Sequence, residues 1–359
     1  MRLSARPPFR SQVMRASVLL SLAVLSGCDV PTAVPLIDVR WVFPIEETSI
    51  SVAELLPSNV AISGGNFDLT VAPVLLPRTL GGLCGPCAAA DGFTVPKPAF
   101  NLAYQSGGTL PTDVVSATLV SGSVSLALQN DLGFDPINPA TGVTGTMTIT
   151  IHDVDAMGNV LGQVVLDGAT SALPDGVLTT VPLVLTPGTV TSTFVAVVNI
   201  NSPAGDPVLI DVTASLDITA TPQAILVSAA TLDVGAQAVT FPETSLDVSS
   251  IEDDAVNRIA SGSLILDVQN PFGVAIDVVV EIGGPGITTL QRNLNIGSGP
   301  TSSVVLDYSR DEFASFLGQS GVFFRGNGAV SAPAATAMVT PTQEVLIEAT
   351  LDLVLEVGG

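Results

Sequence analysis

The chain has 359 residues, 33 Asp and Glu against 11 Lys and Arg, a formal charge of −22, and 47% apolar but only 4% aromatic residues. Such a charge argues against nucleic-acid binding, which draws its affinity from Lys and Arg on phosphate. The apolar content excludes a disordered chain, and the scarcity of rings weighs against sugar-stacking sites and against the aromatic girdles of outer-membrane barrels.

Arg2, Arg6, Arg10 and Arg15 precede a short apolar stretch, residues 16–25 (ASVLLSLAVL). The stretch is too short for a comfortable bilayer span and has the layout of a secretory signal. It ends in Leu25-Ser26-Gly27-Cys28, which resembles the lipobox of bacterial lipoproteins. The resemblance implies cleavage before Cys28 and acylation of its thiol and new amino group. Residues 1–27 are then a lipoprotein signal peptide, and their removal takes four arginines and no acid, leaving a mature charge of −26. Two or more acyl chains anchor stably where one does not. Residues 28–61 read as the lipidated N-terminus, a Pro-containing leash (29–35, DVPTAVP) and a lead-in strand, with SVAELL at 51–56 as a short turn of helix. The expected location is the bacterial cell envelope, membrane-anchored, with the leaflet open.

The remainder reads as two copies of one unit, 62–220 and 221–359. Residues 121–130 (SGSVSLALQN) match 261–270 (SGSLILDVQN) at an offset of 140, 208–218 match 345–355 at 137, and 98–102 match 242–246 at 144. Insertions are expected at 131–145 in the first copy and at roughly 309–340 in the second. Residues 123–129, 146–151, 210–218, 263–268 and 347–357 alternate apolar with polar, which puts one set of side chains on each face of a strand. The expected fold is all-β: two tandem, related antiparallel β-sandwich units with one or two short capping helices. Ser309-Arg310-Asp311-Glu312 is a capping box for one of these helices, with Gly318 as its stop.

Cys84-Gly85-Pro86-Cys87 has the spacing and central dipeptide of the thioredoxin active site, but no α/β pattern surrounds it. With Cys28 acylated, two thiols remain in an oxidising compartment and should pair, so a local disulfide between Cys84 and Cys87 is expected. Redox activity and free thiols stand as the alternatives. Asp153-Val154-Asp155-Ala156-Met157-Gly158-Asn159 faintly resembles a calcium loop, yet Met157 stands where an oxygen ligand belongs, so a hairpin turn is expected. Glu252-Asp253-Asp254 reads as a solvated loop or helix cap. His152 is the only histidine and Lys97 the only lysine. No nucleophile elbow, zinc set or phosphate loop is present, so no catalytic residue, metal or cofactor is assigned.

The strand ending Gln269-Asn270-Pro271-Phe272, followed by the alternating Ile276–Glu281, resembles the late-embryogenesis-abundant type 2 (WHy-like) β-sandwich. In the first unit Asn130 is followed by Asp131-Leu132, without the proline. The resemblance implies a small sandwich with a binding or protective role rather than a catalytic one. The reading reached is a non-enzymatic envelope lipoprotein, structural or protein-binding, with no nucleic-acid partner. The alternatives are a lipid or apolar-ligand binder, marked by a hollow lined with aliphatic side chains, and a thiol-disulfide oxidoreductase acting through Cys84 and Cys87.

Overall fold

A computed structural model describes residues 36–45 and 47–358, so the signal segment and Cys28 lie outside the described residues. The alternating segments form strands throughout. β1 (Ile37–Pro44), β2 (Thr48–Ser51), β3 (Val60–Ser63), β4 (Asn66–Leu69), β5 (Val74–Thr79) and β6 (Thr94–Pro96) come first. Then follow β7 (Phe100–Thr109), β8 (Val114–Asn130), β9 (Thr146–Asp153), β10 (Val160–Asp167), β11 (Val177–Val184), β12 (Gly188–Thr191), β13 (Thr193–Ser202), β14 (Pro207–Leu209) and β15 (Ser215–Asp233). The last group is β16 (Ala238–Leu246), β17 (Ile259–Gln269), β18 (Ile276–Gly284), β19 (Ile287–Ile296), β20 (Thr301–Tyr308), β21 (Val322–Val330), β22 (Thr336–Val339) and β23 (Glu344–Val357).

The same strand order occurs twice. One sheet runs β10-β9-β13-β7, and its counterpart runs β19-β18-β21-β16; the facing sheets contain β11-β8-β15 and β20-β17-β23. All of these pairings are antiparallel. The fold is therefore all-β, two related sandwiches, each with its aliphatic faces turned inward: Leu126, Leu128, Ile149 and Val198 in the first, Leu264, Leu266, Val280 and Leu353 in the second. Helices are few and short: α1 (Leu80–Leu83), α2 (Asp253–Val256) and α3 (Arg310–Phe316). The expected capping box forms on α3, and Gly318 follows it at φ +77°.

The two sandwiches exchange strands. β1 and β2 pair with β23 of the second sandwich, whereas β3, β4 and β5 belong to the β15 sheet of the first. In return β22, late in the chain, pairs with the end of β15. The boundary expected at 220/221 falls inside β15. That strand keeps burying alternate side chains past it, through Ile225, Val227, Ala230 and Leu232. Pro222 and Ala224 (φ +50°) mark the register shift that bends this long ribbon without ending it.

Three further details depart from the sequence reading. Residues 211–214 form a turn instead of a strand, because the Asp211 carboxylate accepts hydrogen bonds from Thr213 N and Oγ1 at 2.9 and 2.6 Å. The match of 208–218 to 345–355 is out of register: Gln129 pairs with Asp217 and Gln269 with Leu346, an offset of 129 rather than 137. Segment 309–340 is no mere insertion, since it contains β21, the counterpart of β13.

Candidate functional site

Thr79 Oγ1 accepts from Gly82 N and caps α1, after which Cys84 opens a single 3₁₀ segment, Gly85–Ala90. α1 and the residue pair after the 3₁₀ segment dock on the 210–214 turn through Leu80 N to Ala214 O (2.7 Å), Gly81 N to Val212 O (3.0 Å) and Gly92 N to Ile210 O (2.8 Å). The sulfur atoms of Cys84 and Cys87 lie 1.97 Å apart, at disulfide distance, and both residues are completely buried. A thiol oxidoreductase needs a solvent-reachable sulfur in an electropositive setting. Neither cysteine has that access.

The Asp153–Asn159 segment is a hairpin turn. Asp155 Oδ1 accepts from Met157 N at 2.8 Å, and Asp153 turns away from the loop to accept from Thr191 N and Oγ1 at 2.8 and 2.9 Å. These carboxylates serve backbone and hydroxyl donors and do not converge on a point. His152 Nδ1 lies 3.0 Å from the Gly158 carbonyl oxygen, a contact that requires Nδ1 to carry the proton. Asp253 and Asp254 open α2, with Asp254 paired to Arg258 across one helical turn at 2.9 Å. Among the described residues no group of three or more His, Cys, Asp or Glu is placed to hold a metal ion.

Two buried polar arrangements were not foreseen. Lys97 is only 1% exposed. Its Nζ donates to Ser202 Oγ (2.6 Å) and Pro203 O (2.5 Å), Ser202 Oγ donates on to Pro136 O, and the ammonium lies 4.7 and 5.2 Å from the ring centres of Phe100 and Phe134. No carboxylate pairs with it in this arrangement, and burial pulls its pKa down to about 8. Lys97 thus ties the start of β7, the end of β13 and the 131–140 loop together. A solitary lysine in an acidic chain reads as a surface charge, and no sequence signal marks this one as interior.

The second arrangement is a pair. Asn130 Nδ2 donates to Phe134 O (2.9 Å) and Leu173 O (2.6 Å), and its Oδ1 accepts from Leu132 N (3.2 Å). Asn270 Nδ2 donates to Val274 O (2.7 Å) and Gly297 O (3.0 Å), and its Oδ1 accepts from Phe272 N (3.1 Å). The Gln-Asn ending shared by residues 121–130 and 261–270 is the sequence signal of this pair.

Between the sheets of the first sandwich is an apolar cavity of about 50 Å³, lined by residues including Leu119, Val124, Ile151, Leu161, Phe194 and Ile225. A space of this size is far too small for an acyl chain.

The clearest exposed apolar feature is β1, which among the described residues has β23 as its one neighbour in the sheet. Its Val39, Trp41 and Phe43 sit opposite Leu355, Leu353 and Leu351, on the face that turns toward the core. The core ends before the strand does. Ile37 and Trp41 remain 58% and 38% exposed, and Val357, opposite Ile37, is exposed as well. On the other face Arg40 grips Asp352 through two hydrogen bonds of 2.7 and 2.6 Å.

No family model matches the chain, and no curated protein matches it. Solved structures do. One is a protein of Parabacteroides distasonis assigned as secreted, at 9% identity and TM-score 0.34, covering 89% of this chain and 100% of that one. Another is the STIV MCP, at 10% identity and TM-score 0.19, covering 78% and 97%. A third is the infectious bursal disease virus VP2 subviral particle, at 12% identity and TM-score 0.21, covering 90% and 72%. Likeness at this level carries no functional information. Among the described residues no helix is long and apolar enough to cross a membrane.

Proposed function

We propose that the chain is a secreted bacterial lipoprotein, anchored through acylated Cys28, whose paired sandwiches serve a non-enzymatic structural or protein-binding role in the cell envelope. The observation that carries the reading is the ordered sequence of four arginines, the ten-residue apolar stretch 16–25 and Leu25-Ser26-Gly27-Cys28. The body is compatible with it. The polar clusters identified above are taken up by turns, caps and buried ties, and the apolar cavity is too small for a lipid chain. The enclosed Cys84 and Cys87 weigh against thiol exchange. The Asn-Pro-Phe strand end supports kinship with the WHy-like sandwiches, whose roles are likewise binding or protective.

Mass spectrometry of the amino-terminal peptide of protein purified from bacterial membranes tests the anchor. The expected species begins at Cys28 and carries acyl chains. The Cys28→Ser chain should lose its partition into detergent-rich phase. An unmodified peptide that begins elsewhere would overturn the reading.

A further inference from the structure

The anchor fixes where the body can sit, and this inference rests on the lipoprotein reading above. Leu36, the first described residue, lies eight residues beyond Cys28. Eight residues reach at most about 29 Å when fully extended. β1 is therefore the described strand tethered nearest the bilayer. It is also where the core face of the second sandwich overhangs its partner sheet. Leu36 and Ile37 are 63% and 58% exposed, and Trp41 and Val357 adjoin them along the β1–β23 ladder.

We propose that this overhang rests on the lipid bilayer: Ile37, Trp41 and Val357 contact the headgroup zone and hold the second sandwich against the membrane from which it is tethered. Three features select a bilayer and a shallow depth. Tryptophan favours the boundary between headgroups and acyl chains, where its ring is shielded and its N–H stays wet. Among the described residues β1 is an edge strand with no sheet partner on its outer side; burial of unpaired backbone groups in hydrocarbon is costly, which keeps the strand at headgroup level. The charges of the strand lie on its opposite face, away from Trp41: Arg40 is neutralised by Asp352, and the carboxylates of Asp38 and Glu356 stand at opposing register positions.

Trp41 is the only tryptophan in the chain, so its fluorescence reports the contact directly. The acylated full-length mature protein is reconstituted into phosphatidylcholine vesicles with and without bromine at a shallow acyl position, and flotation is measured beside emission. The expected result is flotation with an about two-fold loss of Trp41 emission in the brominated vesicles, since an indole at the boundary meets the bromine. Ile37→Asp, a change at an exposed position, should float equally and recover most of the emission. Flotation with equal emission in both vesicle types would overturn the contact and leave the anchor standing. Failure to float would remove the anchor and the contact together. A Cys28→Ser chain that is dimeric without vesicles, with Trp41 already shielded from acrylamide, would assign the face to a second copy instead and also overturn the proposal.

Discussion

Asn130 and Asn270 occupy the same position in the two sandwiches and satisfy it in the same way, each closing the loop after its strand onto a second, distant loop. Both are fully buried, and each side-chain amide uses two donors and one acceptor on main-chain groups. Removing the amide of Asn130 strands two carbonyl oxygens and one N–H in the interior; at Asn270 the Val274 carbonyl and the Phe272 N–H are buried and the Gly297 carbonyl is part-buried. Asn130→Ala and Asn270→Ala should each cost about 3 kcal/mol in urea unfolding. Asn130→Asp should cost more, because a carboxylate oxygen would then face the carbonyls of Phe134 and Leu173. Values within experimental error of wild type would show that the loops hold without the asparagine.

Lys97 makes the stability respond to alkali in an unusual direction. Its ammonium has a folded value of about 8 against the ordinary 10.5, because burial penalises the charge. Between these two values the unfolded chain binds more protons than the folded one, so stability rises with pH across that window; the penalty is felt in full below about pH 8. The difference in urea midpoint between wild type and Lys97→Met should therefore move in favour of wild type from pH 8 to pH 10. A difference that stays constant over this range would contradict the assignment.

Glu312 gives the opposite case. It accepts from Arg292 Nη2 through both oxygens (2.8 and 2.9 Å) and from Ser309 N (2.8 Å), and its pKa falls to about 2, with the hydrogen bond from Arg292 as the largest cause. The folded value lies below the ordinary 4.5, so this stabilisation is complete above pH 4.5 and disappears as pH falls toward 2. Both partners are partly exposed, which limits the effect of Glu312→Gln to about 1 kcal/mol at pH 7. The gap between the variant and wild type in thermal melts should narrow steadily as pH falls from 4.5 and close only below about pH 2.

The cysteine pair should be silent. Cys84 and Cys87 are both completely buried, so a thiol-specific mass tag under native, non-reducing conditions should label neither. Insulin reduction should be absent from wild type and unchanged in Cys84→Ser. Closing so short a loop contributes little chain entropy, so reduction should loosen the 84–92 segment against the 210–214 turn more than it lowers the global melting temperature. Proteolysis confined to that segment after reduction is the readout.

Local features were legible in the sequence where a periodic signal existed. The alternation of 347–357 appears as β23, the Met157-Gly158-Asn159 turn joins β9 to β10, and Ser309 and Glu312 cap α3. Legibility failed where a side chain chose its partner through space. Asp211 draws Thr213 into a turn and so shortens an apparently regular strand. Lys97 finds two rings, a hydroxyl and a carbonyl that no spacing in sequence connects. The exchange of strands between the sandwiches was equally hidden, because the alternation of a strand says which residues face inward but not which neighbour it takes.

The pairing of β1 with β23 also sets an order of events. Arg40 and Asp352, which clasp across those strands, are 312 residues apart. Synthesis proceeds from the amino terminus, so β1 exists throughout elongation without the strand it needs, and β2 waits for the same partner. The first sandwich can assemble most of its sheets from residues already made, whereas the second must wait for the final stretch of chain. Contacts this distant in sequence slow folding. They also make the last strand decisive: a chain stopped before residue 344 loses the neighbour of β1, β2 and β17 at once.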